Sequence, residues 1–149
     1  MKPLFVLLIV FSIALIASKI ISSNFKFEFS GKLALSVMLV FTALGHFLYT
    51  KGMTMMLPGF IPYKTEIIYI TGILEVAAAI GIWFPDISAL TGILLIVFFI
   101  LILPSNINAA VNHLNYETGT FDGKGLSYLW FRIPFQILLI SWTYYFVIR

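Results

Sequence analysis

The apolar residues of this chain fall into five long blocks, which are separated by short stretches rich in polar residues, proline or glycine. At 1.5 Å of rise per residue, helices of these lengths are suited to the hydrocarbon core of a bilayer. The pattern therefore predicts an all-α integral membrane helical bundle that forms a single membrane domain over residues 1–149. The five predicted spans are residues 4–22, 31–50, 66–84, 89–104 and 126–148.

The first block has two interpretations. Lys2 precedes the apolar run and Ala17-Ser18 lies near its end, which is the order found in a signal peptide. The run continues past Ala17, however, and lacks a clean small-x-small cleavage motif. We therefore favour a retained first helix, and we expect Ser30 to cap the helix that follows it.

Prolines interrupt the remaining pattern at two places. Residues 52–64 contain Pro58 and Pro62, so this segment cannot form one continuous helix, and its apolar residues favour a position at the membrane interface. The fourth block is uninterrupted up to Pro104, and polar residues follow it. We therefore expect the fourth helix to end at Pro104.

The composition favours lipid as the main partner of this chain. Hydrophobic residues make up 61% of the sequence and charged residues only 10%, whereas a soluble domain needs roughly a quarter. The net charge of +3 is scattered, which argues against nucleic-acid binding. There is no cysteine, so thiol relays and Cys-held iron–sulfur clusters are excluded.

The lysines and arginines leave the membrane orientation undecided. Five spans place four of these residues at each end of the bundle and Arg132 inside the fifth span, so the positive-inside count is a tie. One end carries Lys2, Lys51, Lys64 and Lys124, and the other carries Lys19, Lys26, Lys32 and Arg149.

Several polar side chains interrupt the apolar blocks. Placing a charged side chain near the bilayer centre costs a few kcal/mol of free energy. Each such side chain therefore requires a polar partner or a water-filled pocket. In a five-span path these residues fall in the same half of the bilayer, with Glu75 deep enough to be reached by a long arginine side chain. The predicted polar cluster and ligand site comprises His46, Glu75, Asn106, Asn108, Arg132 and Gln136.

Each of these residues also has a structural interpretation. Glu75 and Arg132 are suited either to an ion pair that fixes helix register or to the wall of a ligand pocket or proton path. His46 is suited either to hydrogen-bonded packing or to the site. No second ligand lies at helical spacing from His46, so no metal site is predicted, and no residue is assigned as catalytic.

Five motifs follow one another in a fixed order along the chain. They are Gly45-His46-Phe47, Met55-Met56-Leu57-Pro58 to Ile61-Pro62, Tyr69 to Gly72-Ile-Leu-Glu75, Leu103-Pro104-Ser-Asn106-Ile-Asn108, and Leu129-Trp130-Phe-Arg132-Ile-Pro134-Phe-Gln136. In this order they resemble the DoxX-like family of membrane proteins. The resemblance implies a four-helix core, here preceded by an N-terminal transmembrane helix, in a bacterial cytoplasmic (inner) membrane. It also implies association with thiosulfate:quinone oxidoreductase, with quinone-related or oxidative-stress functions, or with membrane assembly.

Three functions fit the sequence. The first is a component of a membrane redox system that binds a quinone or another small apolar ligand and acts with a soluble or membrane redox partner protein. The second is a non-catalytic membrane subunit or assembly factor whose polar cluster is structural. The third, a small-solute or proton transporter, is weaker because no inverted repeat is visible. The sequence leaves open the ligand, the oligomeric state and whether the chain is an enzyme.

Overall fold

A computed structural model describes residues 2–149, and the regular structure of this part of the chain is helical. A 3₁₀ turn, Gly125–Tyr128, leads directly into the sixth helix, and a single π-helical turn, Tyr144–Ile148, follows that helix. The helices are α1 (Lys2–Ser22), α2 (Phe27–Leu48), α3 (Thr50–Met56), α4 (Lys64–Gly81), α5 (Pro85–Val111) and α6 (Leu129–Thr143).

Four helical stretches are long and apolar enough to cross a membrane. They are Lys2–Ser22, Phe27–Leu48, Pro85–Val111 and Gly125–Ile148, and on length and composition they make the chain a membrane protein. The helix α4 is shorter, with 18 residues, and it carries three charged residues, Lys64, Glu66 and Glu75. Its composition therefore does not by itself mark it as a span.

Two predicted helix ends were wrong. The helix α2 begins at Phe27, so Ser30 lies buried inside the helix and does not cap it. The helix α5 does not end at Pro104 but continues to Val111. Pro104 removes the backbone hydrogen bond to the Ile100 carbonyl, and a helix packed in a bundle tolerates such a loss. Two residues later Asn106 donates its side-chain amide to the Ile102 carbonyl at 2.8 Å.

The long helices pack as antiparallel neighbours. Between α2 and α4, the Ser36 hydroxyl donates to the Ala79 carbonyl, whereas His46, ten residues further along α2, contacts the Ile68 carbonyl. Residue numbers thus rise along α2 as they fall along α4. The last two long helices, α5 and α6, are also antiparallel. Ser88, near the start of α5, donates to the Val147 carbonyl just beyond α6, whereas Gln136, earlier in the chain, donates to the Phe99 carbonyl.

The first helix is part of this bundle. Leu7 is fully buried, and the Phe11 ring packs edge-on against Trp142 with 5.0 Å between ring centroids. An aromatic edge-to-face contact of this kind adds to the free energy gained by burial. The core joins α1, α2, α4, α5 and α6 through Leu7, Ala34, Leu35, Met38, Leu39, Ala79, Ile82, Leu95, Phe99, Phe135, Leu139 and Val147.

Because the helices alternate in direction, one end of the bundle collects the start of α1, the end of α2, the start of α4, the end of α5 and the Gly125–Tyr128 turn. We call this the cavity end. A salt bridge of 2.8 Å between Lys2 and Glu117 joins α1 to the segment that follows α5 at this end.

Candidate ligand-binding site

A cavity of about 420 Å³ lies at the cavity end, within the size range of small-molecule sites. Its wall is mostly apolar and is built from the start of α1, from α2, α3, α4 and α5, from the segment that follows α5, and from the start of the last helical stretch. Four of the six predicted site residues line this cavity, namely His46, Glu75, Asn106 and Arg132. Their roles in binding a ligand stay predictions.

The side chains of His46 and Glu75 form the most buried polar contact of the cavity. His46 Nε2 lies 3.6 Å from Glu75 Oε1, close enough for an ion pair but longer than a hydrogen bond. Glu75 is only 6% exposed, and its second oxygen, Oε2, has no hydrogen-bond partner among residues 2–149. A buried carboxyl oxygen without a partner is costly, so Oε2 is a candidate contact for a ligand in the cavity.

A glycine on α4 allows this contact. A Cβ atom placed on Gly72 would lie 2.9 Å from the Cβ of His46, closer than real side chains come. The absence of a side chain at Gly72 therefore lets α2 and α4 approach closely at the depth of the histidine.

Thr71 also lines the cavity, although it was not among the site residues predicted from the sequence. Its hydroxyl lies 3.0 Å from His46 Nδ1, the nitrogen that also faces the Ile68 carbonyl at 3.1 Å. These two contacts hold the imidazole plane and direct Nε2 towards Glu75. Thr71 precedes Glu75 by four residues, so its position on the same helical face was the available signal.

Arg132 lines the cavity but does not pair with Glu75. Within residues 2–149, no oxygen of an acidic side chain lies within 4.0 Å of its guanidinium nitrogens, and His46 is the partner of Glu75 instead. The guanidinium carbon lies 5.8 Å from the centre of the Phe135 ring, a cation–π distance. Of the two interpretations that the sequence left open, the Glu75–Arg132 ion pair is therefore not formed among these residues.

The three amide side chains of the predicted cluster are separated. Asn106 is buried at the cavity wall, whereas Asn108 donates to the Met56 carbonyl at 2.9 Å and so ties α5 to α3. Gln136 is buried between α5 and α6 on the Phe99 carbonyl. Neither Asn108 nor Gln136 is part of the cavity wall. Each joins two helices through a backbone carbonyl.

Residues 112–124 cover the cavity end. The Tyr116 ring meets the Tyr49 ring edge-on, with 6.2 Å between centroids, and its backbone passes over Gly52. A Cβ atom on Gly52 would overlap the Tyr116 carbonyl, so glycine is required at this crossing. Burial raises the pKa of the Tyr116 hydroxyl to about 12, and the positive charge of Arg132 opposes that rise. Tyr116 is therefore neutral in the folded protein.

The fold and the cavity define a helical-bundle membrane protein with a polar site near one end. The chain belongs to the family described as a domain of unknown function, DUF8561, whose model matches residues 35–147. The match runs from within α2 to the last helical turn, so it includes most of the cavity wall. No curated protein matches the chain, and no solved structure does.

Proposed function

We propose that this protein binds a quinone, or a related small apolar ligand with polar oxygens, in the cavity of a five-span bundle. The observation that carries the proposal is the Glu75 carboxyl, which lies at the wall of an otherwise apolar cavity with one oxygen unpartnered in the described chain. The order of the DoxX-like motifs supports the same ligand class and a bacterial cytoplasmic membrane.

The proposal of five spans rests on α4. Its 18 residues extend about 27 Å at the usual helical rise, and its antiparallel contacts with α2 extend from Ile68 to Ala79. Ile70 and Ile73 lie exposed on its outer surface, as expected of lipid-facing positions. A helix packed this way beside a span is best accommodated as a span itself.

Single-cysteine labelling in membranes tests the α4 span, because the chain has no cysteine of its own. We expect Ile73→Cys to resist a membrane-impermeant maleimide. Gly59→Cys, in the exposed linker before α4, should label from one side of the membrane. Rapid labelling of Ile73→Cys in the folded protein would contradict a membrane-spanning α4.

The chemistry of the cavity suits a ligand with carbonyl oxygens. Arg132 is a donor for such oxygens, and Glu75, which His46 contacts, is placed to accept or relay a proton. A catalytic role would require a redox partner protein as the electron donor, because the chain has no cysteine for an iron–sulfur cluster. Binding is therefore the primary proposal, and catalysis depends on that partner.

Titration of the purified protein with menadione, a small naphthoquinone, tests the binding proposal. We expect the melting temperature to rise with ligand concentration. Glu75→Gln and His46→Ala should weaken this response, whereas Glu66→Gln, at an exposed position in the first turn of α4, should retain it. No response in the wild-type protein, or an equal response in all variants, would contradict the proposal.

The amide contacts favour a second candidate, a non-catalytic membrane subunit or assembly factor. Asn106, Asn108 and Gln136 all donate to backbone carbonyls, which is a structural use of polar groups in a bundle. This candidate predicts a stable complex with a partner protein that survives the joint replacement His46→Leu and Glu75→Leu. Loss of the complex in that folded double variant would argue against it.

A further inference from the structure

Arg132 is the cation of the cavity that lacks a counterion. It lies near the start of the last helical stretch and lines the cavity, yet no protein group within residues 2–149 accepts a hydrogen bond from it. Its Nε atom is buried without a partner among these residues. An arginine in apolar surroundings is costly unless a negative charge or polar oxygens meet it.

The other charged side chains of the cavity wall face one another and not Arg132. Lys2 meets Glu117 at 2.8 Å, and Glu75 faces His46 at 3.6 Å. Oε1 of the Glu75 carboxyl faces the imidazole of His46 and not the guanidinium of Arg132. The wall therefore offers Arg132 no carboxylate partner in the part of the chain that the structure describes.

A second donor lies beside Arg132. Tyr128 precedes it by four residues in a continuous helical stretch, so the two side chains share one face, and both line the cavity. The Tyr128 hydroxyl makes no hydrogen bond within residues 2–149, unlike the hydroxyl of Tyr116, which lies 3.5 Å from Glu117. A guanidinium next to an available hydroxyl is suited to binding an oxyanion.

We propose that Arg132 and Tyr128 bind the acidic oxygen of a ligand whose remaining body is apolar. The apolar part of the cavity wall includes Phe41, Leu44 and Leu48, which are also exposed on the outer surface of α2. A ligand dissolved in the bilayer has a direct apolar route along this side. The inference rests on the proposed function, since it assumes that the cavity is a ligand site, and it specifies the charge of the ligand.

Matched probes of different charge test this proposal on the full chain in detergent. Lawsone is a naphthoquinone whose ring hydroxyl is ionised at neutral pH, and menadione carries a methyl group at that position. We expect the wild-type protein to bind lawsone at least about tenfold more tightly than menadione, because a hydrogen bond to a charged group is worth more than a factor of ten. Dodecanoate and dodecanol form a second pair without a quinone ring.

Three variants test whether Arg132 and Tyr128 cause the preference for lawsone over menadione. Arg132→Gln should abolish the preference for lawsone, Arg132→Lys should retain part of it, and Tyr128→Phe should reduce it. Arg149→Gln is the matched control, because Arg149 lies at the opposite end of the bundle against the Tyr145 ring. Because Arg132 makes no hydrogen bond in the described chain, we expect Arg132→Gln to fold, and its melting temperature checks this.

The outcomes separate this inference from the proposed function. Equal affinity for lawsone and menadione would contradict the proposal that the ligand is an anion, and so would a preference for lawsone that persists in folded Arg132→Gln. Either result would leave the proposal that the cavity binds a ligand intact. A third outcome is that the protein binds dodecanoate more tightly than dodecanol but binds neither naphthoquinone. This result would support the proposal of an anionic ligand and contradict the proposal of a quinone. Failure of all four probes to bind overturns both proposals.

Discussion

His46 Nε2 lies 3.6 Å from Glu75 Oε1, so the most buried carboxylate of the cavity wall is met by an imidazole and not by an arginine. The histidine is itself held by the Ile68 carbonyl and the Thr71 hydroxyl through its other ring nitrogen. A contact held from both sides in this way couples α2 to α4. We therefore expect the stability of the bundle and ligand binding in the cavity to depend on the same pair.

Removing either member of this pair alone should destabilise the protein, and the effects of the two replacements should not add. We expect His46→Leu to destabilise the protein by about 3 kcal/mol, because it leaves the Glu75 carboxyl buried without a counterion. The double variant with Glu75→Leu should be less destabilised than the sum of the two single variants by roughly 1–2 kcal/mol. Unfolding in mixed detergent micelles measures all three values.

The control for this cycle is Glu66→Leu, which changes an exposed carboxylate in the first turn of α4. Its effect on stability should stay within about 0.5 kcal/mol. Strict additivity of His46→Leu and Glu75→Leu would show that the two side chains do not interact.

A serine fixes α4 against α2 at the opposite end of their contact. Ser36 donates to the Ala79 carbonyl at 2.9 Å and accepts from the Trp83 indole nitrogen at 2.8 Å, and it is buried. Ser36→Ala leaves both partners unsatisfied and should cost about 2 kcal/mol of stability. Ser12→Ala, which removes a hydroxyl bonded only within α1, should cost less than about 0.5 kcal/mol. Similar losses from both substitutions would contradict this role of Ser36.

The alkaline stability of the protein should depend on Tyr116. Its pKa is raised by burial to about 12 in the folded state, against about 10 in an unfolded chain. The neutral hydroxyl therefore contributes stability that is fully present below pH 10 and is lost as the pH rises through about 12. Denaturant unfolding measured between these two pH values should show that the free energy of unfolding declines as the pH rises. This decline should be smaller in Tyr116→Phe than in the wild-type protein.

Tyr144→Phe is the matched control for this pH series, because Tyr144 is exposed at the far end of the bundle. It should retain the decline of the wild-type protein above pH 10. An equally steep decline in Tyr116→Phe would show that another group carries the alkaline dependence.

The hydrophobic pattern was sufficient to predict the long helices but not all their ends. Five apolar blocks correspond to α1, α2, α4, α5 and the stretch Gly125–Ile148. The error at α5 was largest, because Pro104 was taken as a stop although a helix within a bundle can pass through a proline. Whether a helix tolerates a proline depends on the groups that pack around it, and the sequence pattern alone does not identify those groups.

The depth of the polar residues could also be estimated from sequence, but their partners could not. Helical rise indicated that His46, Glu75 and Arg132 belong to one end of the bundle, and all three line the cavity. Rise alone does not determine which helices are neighbours or how each is rotated about its axis. The pairing of Glu75 with His46 depends on the close contact at Gly72, and the separate positions of Asn108 and Gln136 depend on rotation.

The central claim is that the cavity is a ligand site, and filling it without changing its polar groups tests this most directly. Gly45 lines the cavity, and a Cβ atom there would meet only flexible side-chain atoms, the nearest at 3.4 Å on Met53. Gly59, with nothing within 4 Å of its Cβ position, provides the matched control. We predict that Gly45→Leu weakens the binding of lawsone and menadione at least about tenfold while remaining folded, and that Gly59→Leu binds as the wild-type protein does. Wild-type affinity for both probes in folded Gly45→Leu would contradict the account.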